Sequence, residues 1–502
     1  LRALFNYPYS QLAIASLLGS FAVLGYAPFY FYPAPILALA GLFHLWARSD
    51  SMSRMAALGF AFGMGLFGTG VSWIYVSLHD FGGMPMLLAI FATTAFCAFI
   101  SLLPLSAGWA LGRFFPVTPM LAAPLLWTAQ EWIRGWIFTG FPWLAVGYSQ
   151  VPYSPLAGFA PLFGIYGVSL LTATCAALIA AAFAKRLGKK PLALWLLALW
   201  LSGAALKHVE WSEPYGPRVS FSLLQGNIAQ DLKWREDELV HTLQTYRQMV
   251  MASRARLIVL PEMAFPLLLD DLPKSYLDNL ARHARSQGGD LLAGVPEIRH
   301  DANETRYYNS MLSYGTAPTQ VYRKSHLVPF GEFIPFKPVF GWIYRELLHI
   351  PLADLASGEP NQAPMNLAGQ KVAIDICYED VFGEEIIRPL PEATLLINVS
   401  NDAWYGNSLA ADQHMQMSQA RALETARMVL RATNTGATAM INREGRVLAH
   451  APHFTQVSLD GEAQGYVGAT PYVRWGNRPV IVILTAGILG LGWRQRKFGK
   501  AR

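Results

Sequence analysis

Charge is what this sequence lacks most. Asp, Glu, Lys and Arg make up 14% of its 502 residues, where a soluble globular chain carries roughly a quarter. That excludes a plain water-soluble enzyme. Cysteine is almost as scarce, with only Cys97, Cys175 and Cys377, so a disulfide scaffold is excluded as well. The 11 histidines show neither HxxxH nor HExxH spacing, so no metal site is expected. Nor is there a GxSxG elbow or a phosphate-binding loop, and no resident cofactor is expected. What abounds is apolar surface, at 53% hydrophobic and 13% aromatic residues, which excludes a disordered chain. The charge is uneven too: residues 1–206 and 479–493 carry little, while 210–475 read like an ordinary soluble domain. The expectation is a membrane protein with one large water-facing domain.

Crossing the hydrocarbon core takes about 20 mostly apolar residues. Candidate spans are 10–27, 31–47, 55–77, 84–112, 117–137, 159–184, 190–206 and 479–493. Basic residues fall in every second connection: Arg2; Arg48 and Arg54; Arg113; Lys185, Arg186, Lys189 and Lys190. A last group, Arg494 to Arg502, follows the final span. The intervening connections 78–83 and 138–158 have no Lys or Arg. The positive-inside rule then puts both termini in the cytoplasm and 207–478 across the membrane. The expected domains are 1–206 (seven spans), 207–478 (soluble) and 479–502 (a last span and a basic tail). With the basic residues flanking apolar segments, no nucleic-acid partner is expected; the partner is the membrane.

Within the spans, Gly63, Gly65 and Gly68 match GxGxxG, but no strand precedes them. Gly59 and Gly63 also fit GxxxG, so close helix packing is the better reading. Glu131 and Arg134 lie one turn apart, where charge is costly, and are expected to neutralise each other. Trp143, in Gly140-Phe141-Pro142-Trp143, suits the outer interface as an anchor.

From residue 219 the texture changes. Strands are expected at Val219–Gln225, Arg256–Leu260, Asp290–Val295, Tyr308–Tyr314, Gln320–Arg323, Val372–Ile376 and Leu395–Val399. Helices are expected over 236–253, 275–287 and 412–431, with a closing hairpin at Thr438–Asn442 and Arg446–Ala449. Interleaved strands and helices indicate a layered α/β domain. Asn398, Ser400, Asn401 and Asp402 either hydrogen-bond across a site or form a plain Asx-rich turn.

Three strand ends each deliver one reactive group: Glu262 after Leu260-Pro261, Lys324 after Tyr322-Arg323, and Cys377 after Asp375-Ile376. A carboxylate, an ammonium and a lone thiol suit a base, a charge stabiliser and a nucleophile better than they suit packing. In this order and spacing they resemble the Glu-Lys-Cys triad of the nitrilase (carbon–nitrogen hydrolase) superfamily. Within it, the chain resembles the bacterial apolipoprotein N-acyltransferase family. The stretches that carry this likeness are Gly140–Leu144, Gln225–Ile228 with Lys233-Trp234, Val328–Pro335, Ile376–Asp380 and Asn398–Gly406.

The resemblance implies a multi-span helical membrane domain joined to an α-β-β-α sandwich. It implies Glu262 as base, Cys377 as acyl carrier, and Lys324 with the Tyr378 N–H as oxyanion donors. Glu332 and Glu379 would position Lys324 and shape the site, and Trp143 and Trp234 would line a lipid cavity. The implied donor is a phospholipid, phosphatidylethanolamine, and the acceptor is the α-amino group of a diacylglyceryl-cysteine, on the periplasmic face of a bacterial inner membrane. The aromatic loop 329–360, with Phe330, Phe333, Phe336, Phe340, Trp342 and Tyr344, is a candidate lid. Two other readings stay open: a membrane-anchored amidase of the same superfamily, and a transporter with an exported binding domain.

Overall fold

A computed structural model describes residues 8–499 except 234, 302–303, 337 and 339–353. It divides into two compact units, one over the described parts of 1–75, 86–210 and 474–502, the other over 76–85 and 211–473.

The first unit is helical: α1 (Pro8–Ala22), α2 (Pro33–Ala47), α3 (Met52–Gly70), α4 (Met86–Phe114), α5 (Pro119–Arg134), α6 (Ala160–Phe183), α7 (Lys189–Leu206) and a C-terminal helix, Arg478–Gly499. Among the described residues, Met86–Phe114 and Pro155–Phe183 are each long and apolar enough to cross a membrane. A third span results if Met52–Gly70 and Ile74–Phe81, bent by 57°, count as one. Small residues bring these helices close. A Cβ on Gly59 would stand 2.2 Å from the Pro104 carbonyl oxygen of α4, and one on Gly65 would stand 1.9 Å from that of Ser16 in α1.

Glu131 and Arg134 are both buried, and besides a bond to Trp127 of the same helix they make hydrogen bonds to the loop that follows α5. Glu131 Oε1 accepts from Trp127 Nε1 (2.8 Å) and from the Val146 N–H (3.0 Å). Arg134 donates to the carbonyls of Phe141 and Trp143. The two charges also attract each other, so the pair both offsets its own charge, as expected, and staples the 141–146 loop.

The second unit is a two-sheet sandwich. Its strands are β1 (Glu213–Gln225), β2 (Leu257–Val259), β3 (Asp290–Asp301), β4 (Glu304–Gly315), β5 (Val321–Arg323), β6 (Met365–Leu367), β7 (Gln370–Ile376), β8 (Leu395–Ser400), β9 (Val429–Thr433), β10 (Ala439–Ile441), β11 (Val447–His450) and β12 (Val457–Val467). One six-stranded sheet has the order β12-β1-β2-β3-β4-β5, the other β11-β10-β9-β8-β7-β6. In each sheet three neighbours are parallel, β1-β2-β3 and β7-β8-β9, and antiparallel strands flank them. Parallel strands covered on both faces need continuous apolar runs, and Leu-Ile-Val in β2 and Leu-Leu-Ile-Asn-Val-Ser in β8 are buried throughout.

Helices α8 (Glu236–Ala252) and α9 (Lys274–Ser286) lay Tyr246, Val250, Leu280 and Ala284 on Ile258 and Leu291 of the first sheet. Helix α10 (Ala410–Thr425) covers the second sheet through Met415 and Ala422. The layers are α-β-β-α. The expected helix over 412–431 ends early because Ala426 turns left-handed at φ +52 and closes it. Val429–Thr433 then enters the sheet as β9, consistent with its β-branched residues.

Candidate active site

Ligands of open α/β sheets gather beyond the carboxyl ends of parallel strands, and here the reactive side chains converge at those ends. Past β2 the chain reaches Glu262, 6% exposed. The adjoining β3 must come very close: a Cβ on Gly294 would stand 2.4 Å from the Pro261 oxygen and 2.5 Å from the Met263 nitrogen. Lys324 directly follows β5 and is 1% exposed. Cys377 directly follows β7 with φ +53, a left-handed conformation that lifts the thiol out of the strand.

The groups meet as follows. Lys324 Nζ lies 2.8 Å from Glu332 Oε1 and 3.4 Å from Glu262 Oε1. Asn309 Nδ2, from β4, donates to the same two oxygens at 2.6 Å (Glu262) and 3.3 Å (Glu332). Glu262 Oε2 accepts from the Asn401 N–H at 2.9 Å, so the Asx-rich stretch after β8 does bond across the site. Glu332 is aimed by the turn that carries it, where its Oε2 accepts from the Val328 N–H at 2.8 Å. From the remaining side Lys233, 3% exposed, donates to the Glu262 carbonyl at 3.3 Å.

Electrostatics follow from this burial. Burial pulls the Lys324 ammonium down, but Glu332 and Glu262 outweigh it and the group stays firmly protonated. Burial and the Glu262 charge push the Cys377 thiol well above its ordinary range, against the pull of Lys324 and a hydrogen bond to Ser400. Burial lowers Lys233 to about 8, with Glu262 opposing. The resting site thus holds a protonated thiol beside a carboxylate and a fixed cation.

Glu379 is a clasp. Its Oε1 accepts from the Ser325 N–H (2.7 Å), the Ser325 hydroxyl (2.8 Å) and the His326 N–H (3.1 Å). Its Oε2 accepts from Tyr322 OH (2.9 Å) and the Ile376 N–H (2.7 Å). One carboxylate ties the segment carrying Lys324 to the residue just before Cys377. Tyr378 packs its ring against His326 and Phe382, at centroid distances of 5.8 and 5.1 Å.

Trp143 stands in the helical unit, fully buried, 5.2 Å from Trp73 and 5.9 Å from Phe141 between ring centroids. That burial excludes it as a surface anchor. Trp234 lies outside the described residues, as do Phe340, Trp342 and Tyr344 of the loop; Phe330 and Phe336 are exposed.

Sequence reasoning singled out Asn398 and Asp402 but missed Asn309 and the other members of the buried polar cluster behind Cys377 that they join, His414, Ser418 and Arg431 with Asp375 and Asp380. The signal available was the polar stripe of His414, Ser418 and Arg421 at i, i+4 and i+7 on one helix face.

A carbon–nitrogen hydrolase family model matches residues 222–472, and an apolipoprotein N-acyltransferase N-terminal domain model matches 18–178. The sandwich with its Glu, Lys and Cys at strand ends is thus a carbon–nitrogen hydrolase domain, joined to an apolar helical domain of a membrane protein. A curated apolipoprotein N-acyltransferase from Nitrosomonas europaea is 52% identical over 97% of this chain and 99% of its own length. That from Chromobacterium violaceum is 44% identical over 97% and 94%, and that from Methylococcus capsulatus 42% over 94% and 94%. The chain belongs to the apolipoprotein N-acyltransferase family.

Proposed function

We propose that this enzyme moves a fatty acyl chain from a phospholipid to the α-amino group of a diacylglyceryl-cysteine at the N-terminus of an apolipoprotein, with Cys377 as the carrier. The observation that carries this is the grouping of Glu262, Lys324 and the Cys377 thiol in a chain whose other unit is built of apolar helices. Glu262 takes the thiol proton as sulfur attacks the ester carbonyl. The oxyanion that develops is stabilised by the Lys324 ammonium and the Tyr378 N–H. Glu262 returns the proton to the departing lysophospholipid oxygen, leaving a thioester. The acceptor amine then attacks, Glu262 takes the amine's proton, and the Cys377 sulfur leaves as an amide forms. Because the resting thiol is held protonated, the base acts at the moment of attack. Glu332 and Glu379 hold Lys324 in place.

Phosphatidylethanolamine is the proposed donor. The proposed setting is a bacterial inner membrane, with residues 207–478 in the periplasm and both termini cytoplasmic, as the basic flanks indicate. Trp143 and Trp234 remain proposed lipid-binding residues, and the 329–360 loop a proposed lid, on the strength of the sequence resemblance. Family membership favours transfer to an amine over the amidase reading, in which water is the acceptor.

The test supplies purified full-length protein in phosphatidylethanolamine vesicles, labelled in the acyl chain, with a diacylglyceryl-cysteine peptide. The expected product is labelled peptide in hydroxylamine-resistant amide linkage. Label released only as free fatty acid, whether or not peptide is present, would support the hydrolase instead.

A further inference from the structure

The left-handed backbone at Cys377 needs support, since a non-glycine residue pays roughly 1–3 kcal/mol to stay there. The Cys377 carbonyl is held from behind by two side chains. Asn398 Nδ2 donates to it at 3.3 Å and His414 Nε2 lies 3.1 Å away. His414 Nε2 also lies 2.8 Å from Asp380 Oδ1, so it faces two acceptors and must carry a proton. On the other side of the ring, Nδ1 faces Arg431 Nη2 at 2.7 Å and Asp402 Oδ1 at 3.3 Å. Asp380 and Asp402 raise this imidazole to about 9 against burial and Arg431, while the short Arg431 contact suits an unprotonated Nδ1. Both states leave the Nε2 proton in place.

Arg431 fixes the rest of the cluster. It donates to Asp380 Oδ2 (3.2 Å), Asp402 Oδ2 (3.0 Å), Asn398 Oδ1 (2.6 Å) and Ser418 Oγ (3.0 Å). His414, Asn398 and Arg431 are all 0% exposed. Burying that many charged groups is costly, and two of the cluster's contacts reach the thiol residue: the Cys377 carbonyl, and Ser400, whose hydroxyl donates to Asp402 Oδ1 at 2.7 Å and bonds the sulfur.

We propose that His414, together with Asn398, is a positioning residue for the nucleophile: it holds the main-chain carbonyl of Cys377 and so keeps the thiol turned toward Glu262 and Lys324. This rests on Cys377 being the site's nucleophile, whatever acyl group it takes. The charged groups that face the His414 ring are Asp380 from the turn after β7, Asp402 from the turn after β8, and Arg431 from β9. A glutamine amide nitrogen can stand where Nε2 stands, whereas an asparagine amide reaches only as far as Nδ1.

The experiment measures alkylation of Cys377 by iodoacetamide, read by peptide mass mapping in the full-length protein from about pH 6 to 9, together with thioester formation from labelled phospholipid. His414→Asn is expected to alkylate roughly tenfold or more slowly across the range, and His414→Gln to stay within about threefold of wild type. An Asn variant at the wild-type rate, or a folded Gln variant as slow as the Asn one, overturns the proposal. Should His414→Asn not fold, Asn398→Ala replaces it: alkylation slowed about threefold or more supports the proposal, and an unchanged rate overturns it. Alkylation needs no lipid substrate, so the expected pattern with no phospholipid acylation in wild type would sink the proposed function and leave the positioning role standing.

Discussion

Replacing Lys324 by Met removes a cation from between two buried carboxylates. The nearer contact, 2.8 Å to Glu332 Oε1, carries a Coulomb energy of about 6 kcal/mol at an effective dielectric of ~20. Most of that is offset by the desolvation of both partners, but breaking such a pair strands the surviving charge and costs about 3–5 kcal/mol. In a domain of this size that is a drop in Tm on the order of 10 °C. Glu262 and Glu332 then share Asn309 Nδ2 with no cation between them, so two buried carboxylates face a single donor. Adding Glu332→Gln removes the surplus charge and is expected to restore at least half of the lost Tm. It restores no activity, because the oxyanion donor is still missing; thioester formation stays down by about 10³-fold or more, since one donor alone is worth 10²–10³. The assays are thermal unfolding and single-turnover acylation of Cys377. A single variant with unchanged Tm, or a double variant acylating within tenfold of wild type, would refute the reasoning.

Glu379→Gln keeps one acceptor oxygen but turns an NH₂ toward donors that Glu379 now accepts, Tyr322 OH and the Ile376 N–H on Oε2 or the Ser325 and His326 groups on Oε1. It should cost about 1–3 kcal/mol and lower kcat more than KM, both readable from melting and steady-state kinetics. Gly294→Ala would press a methyl onto Pro261 and Met263, displacing Glu262 and cutting activity severely although β3 itself tolerates alanine; near-normal turnover would show that the strands have room to part. Glu262→Gln abolishes acyl transfer yet removes the charge that raises the Cys377 thiol, so its alkylation by iodoacetamide should begin at lower pH than in wild type. A profile shifted upward would mean that Glu262 does not act on the sulfur.

The site's three strand-end groups were legible because a carboxylate, an ammonium and a thiol interrupt apolar runs, and reactive residues at the ends of buried strands have few structural reasons to be there. Three strands of the sandwich core were legible because they are short and mostly apolar: β2 is wholly so, while β7 and β8 carry Asp375 and Asn398 within apolar runs. The partners of those groups were not. Asn309 lies inside β4, and nothing local distinguishes it from an outward-facing polar residue until the sheet places it between Glu262 and Glu332. Arg431 belongs to a stretch whose helical pattern runs on from α10, and only the left-handed Ala426 ends that helix in time. Strand β12, Val457–Val467, was missed because it alternates weakly and is mostly half-buried or exposed; its place is set by pairing with β1, across more than two hundred residues of chain. The attraction between Glu131 and Arg134 was legible from their spacing of one turn, but their bonds to main-chain groups of a loop were not, because loop amides and carbonyls leave no mark in composition.

The most direct test traps the intermediate. Purified protein is mixed with acyl-labelled phosphatidylethanolamine, without acceptor, and quenched in acid. The label is expected on the peptide containing Cys377, cleaved by neutral hydroxylamine, and discharged when the diacylglyceryl peptide is added. A protein that carries no label, or a Cys377→Ser variant that still transfers acyl chains to the peptide, would contradict the account.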